Sequence, residues 1–454
     1  METVVEQSNS TEATGRLRCQ RCGVESFEPS CFIVPEQYGK PPRDTRCITC
    51  EQARTQVGLS RTLFMNAIYV TLIVCVVLRY DMRSSPELLL GSLIIGALLN
   101  GAVTLIHELG HALTALAVGL EVGAIRIGSG PTLWIGEILR TPVHWYAWPF
   151  WGITYMGAKT TRGFRWKLAT ATFMGAGTNI LAAAVTLPFL SVIPNGLPML
   201  TAVIWIVLNI STALINLYPS AFSMAGQHFV TDGRLILNIK SYGNGEAHLG
   251  VKPLMRAMTC YDLKQYSQAV QLAKEGLLKN PRDPSLHLTL GAAFIGLRDY
   301  SGALGVYRSM LDPGVSRTPS ELAAAKNNVA YCLAILSAPG LGASAEEACD
   351  HLAEADRLSS EAHSAFPCTL SFIGTRALIL AKLNRADEAL RLLEYSHYPG
   401  GTPLQRGHRA MAQAVAFNVL GRAAESRDAA AESAQIDPDN KDLLGIFGLA
   451  TRAA

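Results

Sequence analysis

Long apolar stretches and polar connections alternate in the first half of the chain. The apolar stretches cover about 63–78, 88–118, 168–193 and 198–221. A helix needs about 20 apolar residues to cross a bilayer, so the last three stretches are long enough to span and the first is short. The pattern predicts a mainly α protein with a polytopic, helical, membrane-embedded domain over residues 60–240.

Basic residues set the expected orientation of this domain. The connection between the second and third stretches contains Arg126, Arg140, Lys159, Arg162, Arg165 and Lys167, whereas the preceding connection contains only Arg79 and Arg83. Because cytoplasmic loops are enriched in Lys and Arg, we expect the longer loop to face the cytoplasm. With four spans, both termini are cytoplasmic, and we expect a multi-pass protein of the plasma membrane.

Residues 248–454 have a helical periodicity rich in Ala and Leu. Within it, one pattern recurs after 34 residues, as Leu263-xx-Tyr266-Ser267-x-Ala269 and Leu297-xx-Tyr300-Ser301-x-Ala303. This period resembles that of tetratricopeptide repeats and predicts an α-solenoid of about five helix pairs and a final capping helix. A generic helical bundle is the alternative, but it does not require a fixed period. The solenoid predicts a concave surface for a peptide or protein partner.

The N-terminal residues carry two CxxC pairs. Residues 1–15 are polar and predicted to be disordered. Cys19 and Cys22, with Cys47 and Cys50, resemble the two knuckles of a zinc ribbon, so we expect a small module over residues 16–55 around a structural Zn²⁺. The alternative is four unrelated thiols in a flexible tail.

Composition narrows the function classes. The chain contains 39 Lys and Arg residues and 36 Asp and Glu residues, so it has no large excess of positive charge. We therefore do not expect nucleic acid to be a partner. Charged residues make up only 17% and the mean hydropathy is +0.21, which is typical of a membrane segment joined to polar domains. Residues 1–18 lack the apolar core of a secretory signal, so we expect the N-terminus to stay in the cytoplasm, where structural disulfides are rare.

The strongest chemical signal is HELGH at residues 107–111, inside the second apolar stretch. Residues four apart share a helix face, so His107 and His111 can hold one Zn²⁺ while Glu108 acts as a general base. A catalytic zinc needs a third protein ligand. Asp232 is the main candidate and His228 the alternative. The alternative is that the two histidines are hydrogen-bonded to other groups and bind no metal. However, ionisable residues in membrane segments are energetically costly and usually functional.

Three ordered motifs resemble the site-2 protease family of intramembrane zinc metalloproteases: HELGH, then Gly175-Ala176-Gly177-Thr178-Asn179, then Asn216-xx-Pro219 with Asp232-Gly233. The resemblance implies that His107, His111 and Asp232 bind the catalytic zinc. It further implies that Glu108 is the base and that Asn179 lies close to the substrate. Two departures are Ala176 where the family has Pro, and a longer insertion between Pro219 and Asp232.

The loop over residues 121–167 contains two β-prone segments, 122–128 and 149–155, bounded by Gly and Pro. The resemblance implies a sheet-like, membrane-associated loop here, whose edge can pair with an unwound substrate strand. Alternatively, Trp145, Trp148 and Trp151 form an interfacial aromatic anchor.

Together these patterns predict an intramembrane zinc metalloendopeptidase that cleaves membrane-spanning substrates in regulated intramembrane proteolysis. The repeats would recruit a substrate or regulator. The competing hypothesis is a membrane-anchored tetratricopeptide scaffold whose metal site is not catalytic.

Overall fold

The computed structural model describes residues 86–449 apart from 139, 195, 225–226, 316–317, 339–340, 342–343, 368 and 395–402. Before residue 86 it describes four two-residue strands, β1 (Leu17–Arg18), β2 (Glu25–Ser26), β3 (Phe32–Ile33) and β4 (Arg46–Cys47), which pair β1 with β2 and β3 with β4. Cys47 ends β4. The predicted tail 1–15, the first apolar stretch 63–78, and Cys19, Cys22 and Cys50 lie outside the described residues, so the zinc ribbon stays a prediction.

The chain divides into two compact units, residues 58–293 and residues 294–454, the latter together with 1–57. The first unit contains the predicted membrane domain and continues past its expected end at residue 240. The reason is that helix α5 (Val251–Asp262), the first helix of the predicted repeats, packs on the sheet of the membrane domain. Val251 and Met255 of α5 lie against Gly123 of that sheet.

The HELGH sequence lies near the end of α1 (Pro86–Ala117), a helix of 32 residues that covers the second apolar stretch. At 1.5 Å per residue it is about 48 Å long, more than one bilayer core requires. After α1 the chain forms a long antiparallel hairpin of β5 (Leu120–Ile138) and β6 (Thr141–Ala158), with several bulges. The two predicted β-prone segments are the base of this hairpin, and the strands run further than the sequence predicts.

Two apolar helices follow, α2 (Phe164–Thr186), which continues as a 3₁₀ turn over Leu187–Ser191, and α3 (Leu197–Leu217). Among the described residues, Phe164–Ser191 and Leu197–Leu217 are the two helices long and apolar enough to cross a membrane. Only 22% and 33% of their most apolar windows are buried, so much of their apolar surface is exposed.

The insertion after Pro219 is a closed hairpin. Strand β7 (Ala221–Met224) pairs with β8 (Gln227–Val230), and α4 (Asp232–Leu237) follows at once. The ends of the hairpin meet because the Thr231 backbone N–H donates to the Ser220 carbonyl at 3.0 Å, and the Thr231 hydroxyl donates to the Tyr218 carbonyl at 2.7 Å. The insertion therefore returns the chain to the end of α3.

Eleven α-helices follow in the described residues from 251 to 446, the number expected for five helix pairs and a final helix. They are α5, α6 (Tyr266–Lys279), α7 (Pro284–Gly296), α8 (Tyr300–Ser309), α9 (Pro319–Leu336), α10 (Ala345–Ala365), α11 (Leu370–Lys382), α12 (Ala386–Glu394), α13 (Pro403–Val419), α14 (Ala423–Ile436) and α15 (Asn440–Ile446). Within the two units, α5 packs on α6, α9 on α10, α11 on α12 and α13 on α14. Helices α9 and α10 are the longest of these, so the 34-residue spacing is not kept there.

Four of the connections between consecutive helices share one turn. Lys264, Arg298, Asn384 and Gly421 all have left-handed backbone conformations between the two helices. The next residue in each case donates its N–H to a carbonyl five positions earlier, as in Gln265 to Cys260 and Asp299 to Phe294, at 2.8 and 2.9 Å. This bond satisfies a carbonyl at the helix C-terminus and turns the chain into the second helix.

Candidate metal and catalytic site

The two histidines of HELGH share a buried face of α1. His107 and His111 are each 5% exposed and Glu108 is 3% exposed. The Nε2 atoms of the two imidazoles are 3.1 Å apart. One turn of helix brings them this close, since residues at i and i+4 lie one above the other.

Asp232 joins the two imidazoles from the start of α4. Its Oδ2 atom lies 3.2 Å from Nε2 of His107 and 3.4 Å from Nε2 of His111. Two local features place it there. The β7–β8 hairpin closes on itself, and Gly233 lets α4 approach the end of α3, where a Cβ atom would overlap the Leu217 carbonyl oxygen. The insertion therefore leaves Asp232 beside both histidines.

Hydrogen bonds at Nδ1 determine the tautomer of each histidine. His111 Nδ1 lies 2.9 Å from the Ala171 carbonyl oxygen, which can only accept, so this nitrogen carries the proton. His107 Nδ1 lies 2.7 Å from Oδ1 of Asn179. That amide is oriented by its own nitrogen, which donates to the Val103 carbonyl at 3.3 Å, so Asn179 accepts from His107. Both Nε2 lone pairs therefore face Asp232.

This donor set fits zinc. A tetrahedral site with bonds of about 2.0–2.2 Å places its ligand atoms roughly 3.3–3.5 Å apart, close to the three separations here. With both Nε2 atoms unprotonated, the buried Oδ2 of Asp232 has no hydrogen-bond donor among the described residues. Three lone-pair donors facing one another without a proton between them would be unfavourable, and a divalent cation removes that cost.

Glu108 is held by the sheet. The Thr154 hydroxyl, on β6, donates to Oε2 of Glu108 at 2.6 Å. The carboxylate lies within electrostatic range of His107, His111 and Asp232. The predicted base thus lies beside the candidate ligands, in an orientation set by a hydroxyl from a different element.

Asn179 is fully buried, and its oxygen and its nitrogen are both hydrogen-bonded. The oxygen accepts from His107, and the nitrogen donates to Val103 and, at 2.8 Å, to Oδ1 of Asn209 on α3. Because the side chain is 0% exposed, the predicted contact between Asn179 and substrate needs a neighbouring group to move. Asn216, from the third motif, donates to the Thr212 carbonyl of its own helix at 3.0 Å.

The alternative ligand His228 lies in β8, opposite Ser223 in the hairpin register, and its side chain lies outside the described residues. Asp232 completes the cluster of three metal-ligating side chains within the described residues. The sequence interpretation missed Thr154 and Asn209. Thr154 is one polar position in a β-prone segment, which gives no signal. Asn209 is a single amide in an apolar helix, where a polar residue is energetically unfavourable, so its position could have indicated a functional role.

The sheet also connects to helix α5. Nε2 of His144, on β6, lies 3.0 Å from the Thr259 hydroxyl. Burial and the nearby positive charge of Arg126 lower the pKa of His144 to about 4, so this imidazole is neutral at physiological pH. The first helix of the repeats is therefore fixed to the strand that holds Glu108.

Residues 95–280, less than half of the chain, match the model of peptidase family M50, the site-2 protease family. No curated protein matches significantly. Similar solved structures include a thermophilic tetratricopeptide-repeat protein of Thermus thermophilus, at 22% identity and a TM-score of 0.35, covering 44% of this chain and 97% of that one. YrrB, a tetratricopeptide-repeat protein with an unusual peptide-binding site, is 12% identical, with a TM-score of 0.28 and coverage of 46% and 97%. The family match points to a metallopeptidase over the region that contains the candidate ligands His107, His111 and Asp232.

Proposed function

We propose that this protein is an intramembrane zinc metalloendopeptidase that hydrolyses peptide bonds of membrane-spanning substrates. One observation carries the proposal: His107, His111 and Asp232 direct three lone pairs at one point, with the Glu108 carboxylate beside them. The match of residues 95–280 to peptidase family M50 supports it independently.

The membrane location is supported by the outward-facing apolar surface of α1, α2 and α3. Leu98 of α1, Leu181 of α2 and Leu214 of α3 are each 59–72% exposed, and the polar groups of the site lie buried between the helices. Large apolar surfaces of this kind mark contact with lipid or a partner. The orientation with both termini in the cytoplasm, and the plasma membrane as the location, are part of the proposal.

A bound zinc ion would lower the pKa of a coordinated water and polarise the scissile carbonyl. Glu108 takes the proton of the attacking water on its carboxylate and delivers it to the nitrogen of the leaving amine. Thr154 holds Oε2, and no described residue donates a hydrogen bond to Oε1, which leaves this oxygen for proton transfer. His107, His111 and Asp232 would hold the zinc ion.

A substrate helix must unwind before cleavage, because its carbonyls are occupied by its own hydrogen bonds. The long β5–β6 hairpin lies beside Glu108, so a freed strand can pair with its edge by main-chain bonds. Asn179 remains the proposed contact to the unwound backbone. The helices from α8 onwards provide a surface for a substrate or regulator.

The test is the Glu108→Gln variant of the full chain, purified in detergent. We expect it to keep zinc, measured by elemental analysis, and to lose cleavage. Membrane proteins that accumulate with this variant and shorten with the intact enzyme identify substrates. Glu246→Gln, which changes an exposed carboxylate of the same unit, is the matched control and should keep both properties. If Glu108→Gln still cleaves, Glu108 is not the general base. If the wild-type protein is folded but contains no zinc and does not cleave, the membrane-anchored scaffold is favoured.

A further inference from the structure

A chain of side-chain amides joins α3 to the metal-ligating face of α1. Asn209 Oδ1 accepts from Asn179 Nδ2 at 2.8 Å, and Asn179 Oδ1 accepts from His107 Nδ1 at 2.7 Å. We propose that Asn209 is a positioning residue: through Asn179 it fixes the tautomer and ring orientation of His107, so that Nε2 faces the metal. The inference rests on the proposed function only in requiring a metal at this site.

Each amide in the chain has one possible orientation. The nitrogen of Asn209 donates to the Trp205 carbonyl at 2.9 Å, so its oxygen must face Asn179. The nitrogen of Asn179 donates to Val103 and Asn209, so its oxygen must face His107. Carbonyl oxygens cannot donate, and this removes the usual ambiguity of asparagine orientation. The hydrogen bonds therefore form one continuous chain from the Trp205 carbonyl to the imidazole of His107.

Packing alone does not account for an asparagine at position 209. Asn179 and Asn209 are both 0% exposed, and α3 is otherwise apolar along this face. A buried amide is unfavourable unless its hydrogen bonds are satisfied, and a leucine would fill the same space between α2 and α3 without that cost. The oxygen of Asn209 has one described partner outside its own helix, which is Asn179.

The two histidines differ in how their orientation is fixed. His111 donates to the Ala171 backbone carbonyl, which no side-chain substitution removes. His107 depends on two side chains in series. Partners of this kind orient metal-bound histidines and typically change metal affinity by about 10–100-fold when they are lost. Metal affinity should therefore be sensitive to side-chain substitutions that affect the orientation of His107, including substitutions on α3.

The experiment titrates Co²⁺ into the metal-free full chain in detergent and follows the visible absorption of the bound ion. Asn209→Leu and the smaller Asn209→Ala both remove the acceptor for Asn179. We expect each to weaken Co²⁺ binding by about 10-fold or more and to change the absorption spectrum at saturation. Asn209→Asp keeps an oxygen acceptor and should return the spectrum and affinity towards the wild type.

Thr201→Val is the matched control, because Thr201 is a partly exposed residue of α3 whose hydroxyl donates to the Leu197 carbonyl of the same helix. We expect it to leave affinity and spectrum unchanged. If a folded Asn209→Leu or Asn209→Ala protein binds Co²⁺ as the wild type does, with the same spectrum, Asn209 has no positioning role. If the wild type itself binds no metal, the proposed function fails, and the role of Asn209 fails with it.

Discussion

Residues 86–293 and residues 294–449 bury different kinds of side chain. In the first region, polar groups lie inside the helical core, among them His107, Glu108, His111, Asn179 and Asn209. In the second, the core is built from repeated alanines and leucines, for example Ala377, Ala412 and Leu393. A buried polar network depends on each of its members, whereas a periodic apolar core distributes its contacts over many residues. Single substitutions should therefore have larger effects in the polar network of the first region than in the apolar core of the second.

The largest effect is expected from Asp232→Ala. This change removes one of three ligand atoms, so we expect zinc affinity to fall by more than about 100-fold, beyond the loss typical of an indirect partner. Cleavage should disappear with the metal. Zinc content and cleavage of a substrate captured with Glu108→Gln measure both.

His228→Ala is the comparison for Asp232→Ala. Since Asp232 completes the ligand cluster in the structure, His228→Ala should keep its zinc. Retained zinc in Asp232→Ala together with lost zinc in His228→Ala would instead make His228 the third ligand. Neither variant should change the thermal unfolding of the repeats.

Gly175→Ala tests how closely α2 packs on the site. A Cβ atom at position 175 would overlap the ring of His111, which is held in place by its bond to the Ala171 carbonyl. We expect a loss of metal affinity of about 10-fold or more and a lower unfolding temperature. Gly91→Ala on α1, where no atom lies within 4 Å of the added carbon, should bind metal normally. Equal behaviour of the two variants would contradict the close packing.

These contrasts also explain what the sequence predicted and what it did not. HELGH and the period of 34 are local patterns, and the structure shows the buried histidine pair and the paired helices where those patterns lie. Thr154 and Asn209 contact the site only through tertiary packing, from positions 46 residues after Glu108 and 30 residues after Asn179. No spacing rule connects such distant positions. The closure of the β7–β8 hairpin likewise depends on Thr231 meeting Ser220, which composition does not reveal.

Thr154→Val should lower the cleavage rate by about 10-fold with an unchanged zinc content. The hydroxyl holds Oε2 of Glu108, so its loss misorients the base without touching a ligand, and proton transfer is sensitive to orientation. Thr154→Ser keeps the hydroxyl and should restore most of the rate. A serine variant as slow as the valine variant would indicate that packing of the sheet, and not the hydrogen bond, sets the rate.

The smallest expected effect concerns pH and belongs to the repeats. Burial lowers the pKa of His408 to about 4, while the charge of Asp437 raises it and that of Arg298 lowers it. The ring of His408 stacks on that of Tyr331, with 5.4 Å between the ring centres. Burial and the charge of Arg376 also lower the pKa of His363 to about 4. Unfolded histidine titrates near 6.5, so between pH 6.5 and 4 the unfolded chain binds more protons, and stability falls as the pH falls.

At pH 5.5 each of these histidines should cost about 1 kcal/mol relative to pH 7.5. Hydrogen exchange over residues 403–419 of the full chain reports this change locally, which matters because two units need not unfold together. His408→Gln should reduce the pH dependence of protection in α13, and adding His363→Gln should reduce it further. The β5–β6 sheet contains a third neutral imidazole, His144, so its protection should keep its own acid sensitivity in both variants. Loss of that sensitivity as well would mean that the two regions do not respond independently.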